Sequence, residues 1–208
     1  NMEEARHEAT DDFEIFEKLD GQYIGCFWYQ GEMIVNSKGS FTSPYAIEAK
    51  RILEENHLSF IQRTNYKTTY CFELIGFEQI VVSYPETKLI LIGMFMVDEE
   101  CPITWVNEEH FEIPVVKKYS GLDWKNIKQL NWDNSEGFVV RFSNGQRCKI
   151  KFEDYILLHR QMTNLSTKGI WEALMNGKPV STILADVPDE FYQKVHEYEE
   201  GLKRQFKL

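Results

Sequence analysis

Short runs of β-branched and aromatic residues, broken by glycine, proline and asparagine, recur along the chain as far as Phe152, and helical periodicity takes over after it. The pattern predicts a strand at 13–16, then strands at 23–29 and 32–37 joined by Gln30-Gly31, a link of hairpin length. Ser43 and Pro44 read as the N-cap and first turn of a helix carrying Ala46, Ala49, Ile52 and Leu53 on one side and ending near Asn56. Further strands are expected at 58–61, 69–75, 79–84 and 88–97. Residues 98–134 read as loops with one short helix around 124–130. Strands at 137–142 and 147–152 flank Ser143-Asn144-Gly145-Gln146, the clearest hairpin signal in the chain. Helices follow at 154–163 and 167–175, the latter closed by Asn176-Gly177. Asp189 opens a third, with Phe191, Val195, Tyr198 and Leu202 on one face. The expected class is α+β: an antiparallel-sheet domain over 1–152 and a helical C-terminal region over 153–208.

Composition narrows this picture. At 208 residues and 43% hydrophobic the chain can bury a sizeable core, and no run of eighteen apolar residues marks a membrane span. The first residues are too acidic for a secretory signal, so a cytoplasmic setting without membrane attachment is expected. Cys26, Cys71, Cys101 and Cys148 lie far apart with no C-x-x-C, which suggests reduced core thiols. The net charge of -10 argues against a domain that coats nucleic acid non-specifically. Cations nevertheless collect at Lys117-Lys118, Lys125, Lys128 and between Arg147 and Lys151, so a basic groove on an acidic body is compatible with the sum.

The chemistry starts at Glu17-Lys18-Leu19-Asp20-Gly21, where a strand delivers a lysine, an acid and a glycine into a turn. Alone, this is equally a turn with a solvated lysine. A lysine amine attacks phosphorus only when uncharged, a state favoured by desolvation or by nearby cations. Lys149 and Lys151 alternate with Ile150, so both lysines leave one strand face while Ile150 enters the core. A solvated outer face would alternate in the same way. Glu73 sits in the apolar run 70–75 on the face of Cys71 and Ile75, where a carboxylate is costly without a partner. An edge-strand acid in water is the other reading. The five histidines form no ligand-spaced pair.

Taken in order, Lys18-Leu19-Asp20-Gly21, Ser37-Lys38-Gly39-Ser40, Phe72-Glu73-Leu74-Ile75, Glu136-Gly137-Phe138-Val139-Val140 and Lys149-Ile150-Lys151 resemble the five collinear motifs of the covalent nucleotidyltransferases. That superfamily comprises the ATP-dependent RNA and DNA ligases and the mRNA capping enzymes. The Lys-Ile-Lys strand leading through Tyr155 into a Leu-His-Arg helix is most similar to the T4 RNA ligase 1 family. The resemblance implies an antiparallel-sheet nucleotidyltransferase domain, ATP-grasp-like, with Lys18 as the nucleophile that takes AMP from ATP. It implies Lys38, Lys149 and Lys151 near phosphates, Glu73 on the ribose, and Glu136 with Asp20 near a Mg²⁺ ion. Glu17, Gly21, Phe95 and Tyr155 complete the nucleotide-binding set, Phe95 as a ring against adenine, although core packing accounts for it as well. The partners implied are ATP and RNA ends bearing a 5′-phosphate and a 3′-hydroxyl.

Only 57 residues of helical period follow Lys151, which separates this chain from relatives with an OB-fold after that strand. Two departures stand out. Gln79 occupies a position where the family implies arginine, and the 17 residues before Lys18 are fewer than the family carries, so further upstream chain is expected. The function implied is ATP-dependent RNA sealing. The alternative is a non-sealing nucleotide- or RNA-end-binding domain of the same fold within a larger repair protein.

Overall fold

In the computed structural model, which describes residues 12–78, 81–96, 112–164, 167–178 and 192–206, the chain divides into two units, Asn1–Phe152 and Glu153–Leu208. The first unit carries two four-stranded antiparallel sheets. One is built from β1 (Phe13–Lys18), β6 (Lys118–Tyr119), β7 (Gly137–Phe142) and β8 (Arg147–Lys151), in the order β6-β1-β7-β8. The other takes β2 (Gln22–Tyr29), β3 (Glu32–Ser37), β4 (Thr68–Ile75) and β5 (Lys88–Met96), in the order β3-β2-β4-β5. The Gln30-Gly31 link has φ of 49° and 88°, the left-handed pair that lets a two-residue turn follow the strand twist.

The second sheet buries one face on helices. α1 (Pro44–Asn56) starts where the Ser43 hydroxyl accepts the Ala46 N–H at 3.1 Å, and it lays Ala49, Ile52 and Leu53 on Ile24, Phe72, Leu74 and Leu91. The expected strand at 58–61 is instead α2 (Leu58–Arg63). In a strand Leu58 and Phe60 would share a face; here Phe60 is fully buried and Leu58 is 57% exposed, a separation that a helical turn produces. Phe60 meets Tyr70 and Phe72 edge-on at 5.2 and 5.5 Å.

The first sheet buries Ile15, Val140 and Cys148, which are aligned across three strands. Behind it Phe138 is met edge-on by Trp132 at 4.9 Å and Phe152 at 5.1 Å. The short helix expected around 124–130 contracts to one 3₁₀ turn, Ile127–Gln129, with Trp124 and Ile127 buried. Of the strand expected at 79–84, Gln79 and Ile80 lie outside the described residues, and 81–84 form no ladder. Their backbone is held by side chains instead: Val82 N–H by Asp20 at 3.1 Å and Ser83 N–H by Asn134 at 2.7 Å.

The second unit contains α3 (Glu153–Asn164), α4 (Thr167–Met175) and α5 (Tyr192–Phe206). Gly177, at φ 66°, closes α4 while Lys178 N–H reaches the Ala173 carbonyl at 2.9 Å, the six-to-one bond of a glycine C-cap. Trp171 and Phe206 pack with ring centroids 4.4 Å apart. Asp189 and Phe191, expected at the start of α5, lie outside the described residues. Cys26, Cys71 and Cys148 are buried free thiols, and Cys101 also lies outside. Among the described residues no helix is long and apolar enough to cross a membrane.

Candidate functional site

Residues directly opposite in an antiparallel pair share a face, so the register of β1, β7 and β8 orders three rows on the face away from the Phe138 core. They are Lys18, Gly137 and Lys151; then Phe16, Val139 and Lys149; then Glu14, Arg141 and Arg147. The free face of the second sheet presents Tyr23, Cys71, Glu73 and Phe95. Between the two faces lies a cleft of about 270 Å³.

Gly137 makes the first row possible. It has φ of 141°, and a Cβ there would stand 2.0 Å from the Ile150 carbonyl oxygen. With no side chain in the middle of the row, Lys18 and Lys151 reach past it to the same oxygen of Glu136, at 2.5 and 2.8 Å. Glu136 is only 3% exposed, and two ammonium groups offset the cost of burying its charge. Lys149 lines the cleft one row further in.

Glu73 faces these lysines from β4, between Tyr23 of β2 and Ile90 of β5. Burial pushes its carboxyl up to about 7; Lys18 and Lys149 pull it down, and Glu136 and Asp20 push it up. Near neutral pH the group therefore stands between its two protonation states and can accept or donate a hydrogen bond. Glu17 also lines the cleft, raised by burial against the pull of Lys117.

Asp20, expected beside the nucleophile or a metal, has Oδ2 on the backbone N–H of Val82 at 3.1 Å and of Val81 at 3.4 Å. Its own N–H donates to the Tyr84 hydroxyl at 2.9 Å. Gly21 passes so close to β4 that a Cβ would lie 2.4 Å from the Leu74 carbonyl oxygen. Asp20 ties the end of β1 to the 81–84 segment and Gly21 lays it against β4, which sets Lys18 over the cleft. Phe95 lines the cleft and is 43% exposed, so core packing does not account for it. Lys38 is exposed in the turn after β3 and is not among the lining residues. Tyr155 belongs to the second unit, buried, with its ring 5.6 Å from that of His159. Gln79 lies outside the described residues.

Sequence reasoning placed Arg147 in a basic cluster without assigning it to the site, and did not single out Arg141 or Tyr84. Arg147 was readable, since it continues the alternation of Lys149 and Lys151 by one step. Arg141 was not, because its place in the cleft depends on pairing with β1 and β8. Among the described residues no group of three or more His, Cys, Asp or Glu is arranged to hold a metal ion. The hard carboxylate oxygens of Glu136 are of the kind a divalent cation takes, and such a cation needs only one or two carboxylates where phosphate and water supply the rest.

A mixed α/β domain of two antiparallel sheets, with lysines and acids gathered about the cleft between them, is the class of protein that the fold and the site define. Within that class the chain belongs to the RNA ligase family of the T4 RNA ligase 1 type, whose model matches residues 1–157. The fold is similar to that of an RNA ligase of Naegleria gruberi. An alanine variant of that enzyme with ATP and manganese is 15% identical at a TM-score of 0.55, and the match covers 76% of this chain and 54% of that one. The same enzyme with pyrophosphate is 16% identical at 0.54, again over 76% and 54%, and another variant with AMP and manganese is 15% identical at 0.54 over the same shares. The chain thus spans about half the length of the solved ligases it matches.

Proposed function

We propose that the chain is the adenylating part of an ATP-dependent RNA ligase, with Lys18 as nucleophile. The observation that carries this reading is the meeting of Lys18 and Lys151 on one oxygen of Glu136, with Lys149 and Glu73 facing the same cleft. In the first step Lys18 Nζ attacks the α-phosphorus of ATP. A phosphorus–nitrogen bond forms, the bond to the β-phosphate oxygen breaks, pyrophosphate leaves and the amine proton passes to solvent. An RNA 5′-phosphate oxygen then attacks the adenylate phosphorus, which joins two phosphates end to end and returns Lys18 to its amine. Finally the 3′-hydroxyl of a second end attacks the 5′-phosphorus, AMP departs and the strand is sealed.

Each neighbour of Lys18 has a chemical task in this scheme. Lys149 and Lys151 stabilise charge on the phosphoryl oxygens and attract the nucleotide. Glu73 bonds the ribose hydroxyls, and Phe95 offers a ring for the base. Glu136 holds Lys18 in place before the nucleotide arrives, and its carboxylate is the one best sited to hold a divalent cation. Such a cation supplies charge neutralisation at the phosphates when bound. The likeness to a ligase solved with ATP and manganese, and with AMP and manganese, supports the same cofactors here.

The test is incubation of the full chain with magnesium and ATP labelled in the α-phosphate. Label should appear on the protein, on a peptide containing Lys18, and Lys18→Ala should abolish it. Tight ATP binding with no covalent label would instead identify a non-sealing nucleotide-binding domain of the same fold.

A further inference from the structure

The ladder between β1 and β7 ends at the pair Lys18 and Gly137. Past that pair the two chains part. Residues 19–21 turn away to the second sheet, where Gln22 pairs with Leu74, while β7 is entered from the other side through Asn134, Ser135 and Glu136. Lys18 and Glu136, whose charged groups meet at 2.5 Å, therefore stand at an open strand end, the part of a ladder that opens most readily. What joins the two departing chains beyond the ladder is a third segment, residues 81–84 of the connection from β4 to β5.

On one side Asp20, two residues past Lys18, accepts the Val82 N–H at 3.1 Å and gives its own N–H to the Tyr84 hydroxyl at 2.9 Å. On the other side Asn134, two residues before Glu136, accepts the Ser83 N–H at 2.7 Å and donates from Nδ2 to the Ser83 carbonyl at 2.9 Å. One side chain thus takes both backbone polar groups of one residue. Asn134 has a φ of 49°, a left-handed conformation that asparagine adopts more readily than most side chains, so the turn itself aims the amide at Ser83. The segment is pinned in its middle, where Val82 is buried, and the connection is closed at its base by the Thr87 hydroxyl on the Gly76 carbonyl at 3.0 Å. The charges of Asp20, Glu17 and Glu136 add to burial in raising the Tyr84 hydroxyl, so it stays protonated beside them.

We propose that residues 81–84 are a strap that keeps Lys18 in register with Glu136, and that Tyr84 and Asn134 are its positioning residues. Neither belongs to the residues that line the cleft, so both act through Lys18. Attack by an amine depends steeply on placement, a shift of about 1 Å costing on the order of a hundredfold in rate. The attraction of a nucleotide to Lys149 and Lys151 has no such dependence on Lys18. Loosening the strap should therefore slow transfer to Lys18 and leave nucleotide affinity in place. The inference rests on the reading of Lys18 as the nucleophile.

The test compares the full chain with Asn134→Gly, which keeps the left-handed backbone and removes only the side chain, and with Tyr84→Phe, which keeps the ring and removes the hydroxyl. A thermal melt confirms folding in each case. Single-turnover uptake of label from ATP labelled in the α-phosphate gives the transfer rate and the half-saturating ATP concentration separately. Asn134→Gly should lower the rate at saturating ATP by about tenfold or more and move the half-saturating concentration by less than about twofold. Tyr84→Phe should lower the rate in the same way, and in the Asn134→Gly background it should add less than about twofold, because the strap is already cut. Acetic anhydride in trace amount, with the modified lysines read by mass spectrometry, reports the Lys18 amine without any turnover. Asn134→Gly should raise the acetylation of Lys18 several-fold over that of the exposed Lys50. Rates close to wild type in folded variants overturn the proposal, as do single effects that multiply in the double variant or an unchanged acetylation of Lys18. If the wild type takes up no label, the nucleophile reading fails, and acetylation alone decides whether the strap holds Lys18.

Discussion

Replacing Glu73 by glutamine should make the stability of this protein less dependent on pH, and the size of the change follows from the site. The carboxyl stands near 4.5 in the unfolded chain and is pushed to about 7 in the fold, chiefly by burial on β4, with Lys18 and Lys149 pulling it down and Glu136 and Asp20 pushing it up. The folded state therefore binds the proton more tightly than the unfolded state. The stabilisation this gives is fully present below about pH 4.5 and is lost as pH rises through about 7. At 1.36 kcal/mol for each unit the full loss is about 3 kcal/mol, an upper figure because water reaches part of the side chain. Glutamine keeps the shape and hydrogen-bonding capacity of the protonated acid and does not titrate. The assay is urea denaturation of both proteins from pH 5 to 8.5. Other groups shift both curves together, so the difference isolates Glu73: about 1 kcal/mol at pH 5, and growing toward about 3 kcal/mol in favour of glutamine at pH 8.5. A difference that stays constant with pH would refute the reasoning. A difference of opposite sign would mean that the lysines, and not burial, govern the group.

Three further outcomes test the architecture. Gly137→Ala should disrupt the β7–β8 pairing, because the new Cβ would stand 2.0 Å from the Ile150 carbonyl oxygen at a φ of 141°; a loss of several kcal/mol, read in a denaturant titration, is expected. Asp20→Ala should speed hydrogen exchange at the amides of Val81 and Val82 and lower stability by about 1–3 kcal/mol, since both amides donate to its carboxylate. Unchanged exchange would show that other groups hold that segment. Phe60→Ala should lower stability by about 3–5 kcal/mol, because the ring is fully buried between Tyr70 and Phe72; a thermal melt close to wild type would refute its place in the core.

The sequence by itself determined the features whose causes are local. The Gln30-Gly31 and Asn144-Gly145 turns, the Ser43 cap and the apolar stripe of α1 each rest on hydrogen bonds or periodicities that span a few residues, and each formed where expected. The alternation of Lys149 and Lys151 about Ile150 was legible for the same reason, because a strand turns successive side chains to opposite faces. Where a short apolar run could serve either period, as at 58–61, only the burial of Phe60 apart from Leu58 decided for helix. Residues 81–84 have strand composition but no ladder, since Asp20 and Asn134 claim their amides from far along the chain.

The tertiary structure decided the site. Which strands lie side by side, and in what register, is settled by burial summed over whole sheets, and no local pattern encodes it. That register sets Lys18 across Gly137 from Lys151, brings both lysines onto Glu136 and lines the far end of the cleft with Arg141 beside Arg147. The fold also sets the Asp20 carboxylate on the backbone amides of Val81 and Val82. The residues of the proposed site are spread along the chain from Lys18 to Lys151, and only pairing between distant strands brings Lys18, Glu136, Lys149 and Lys151 together.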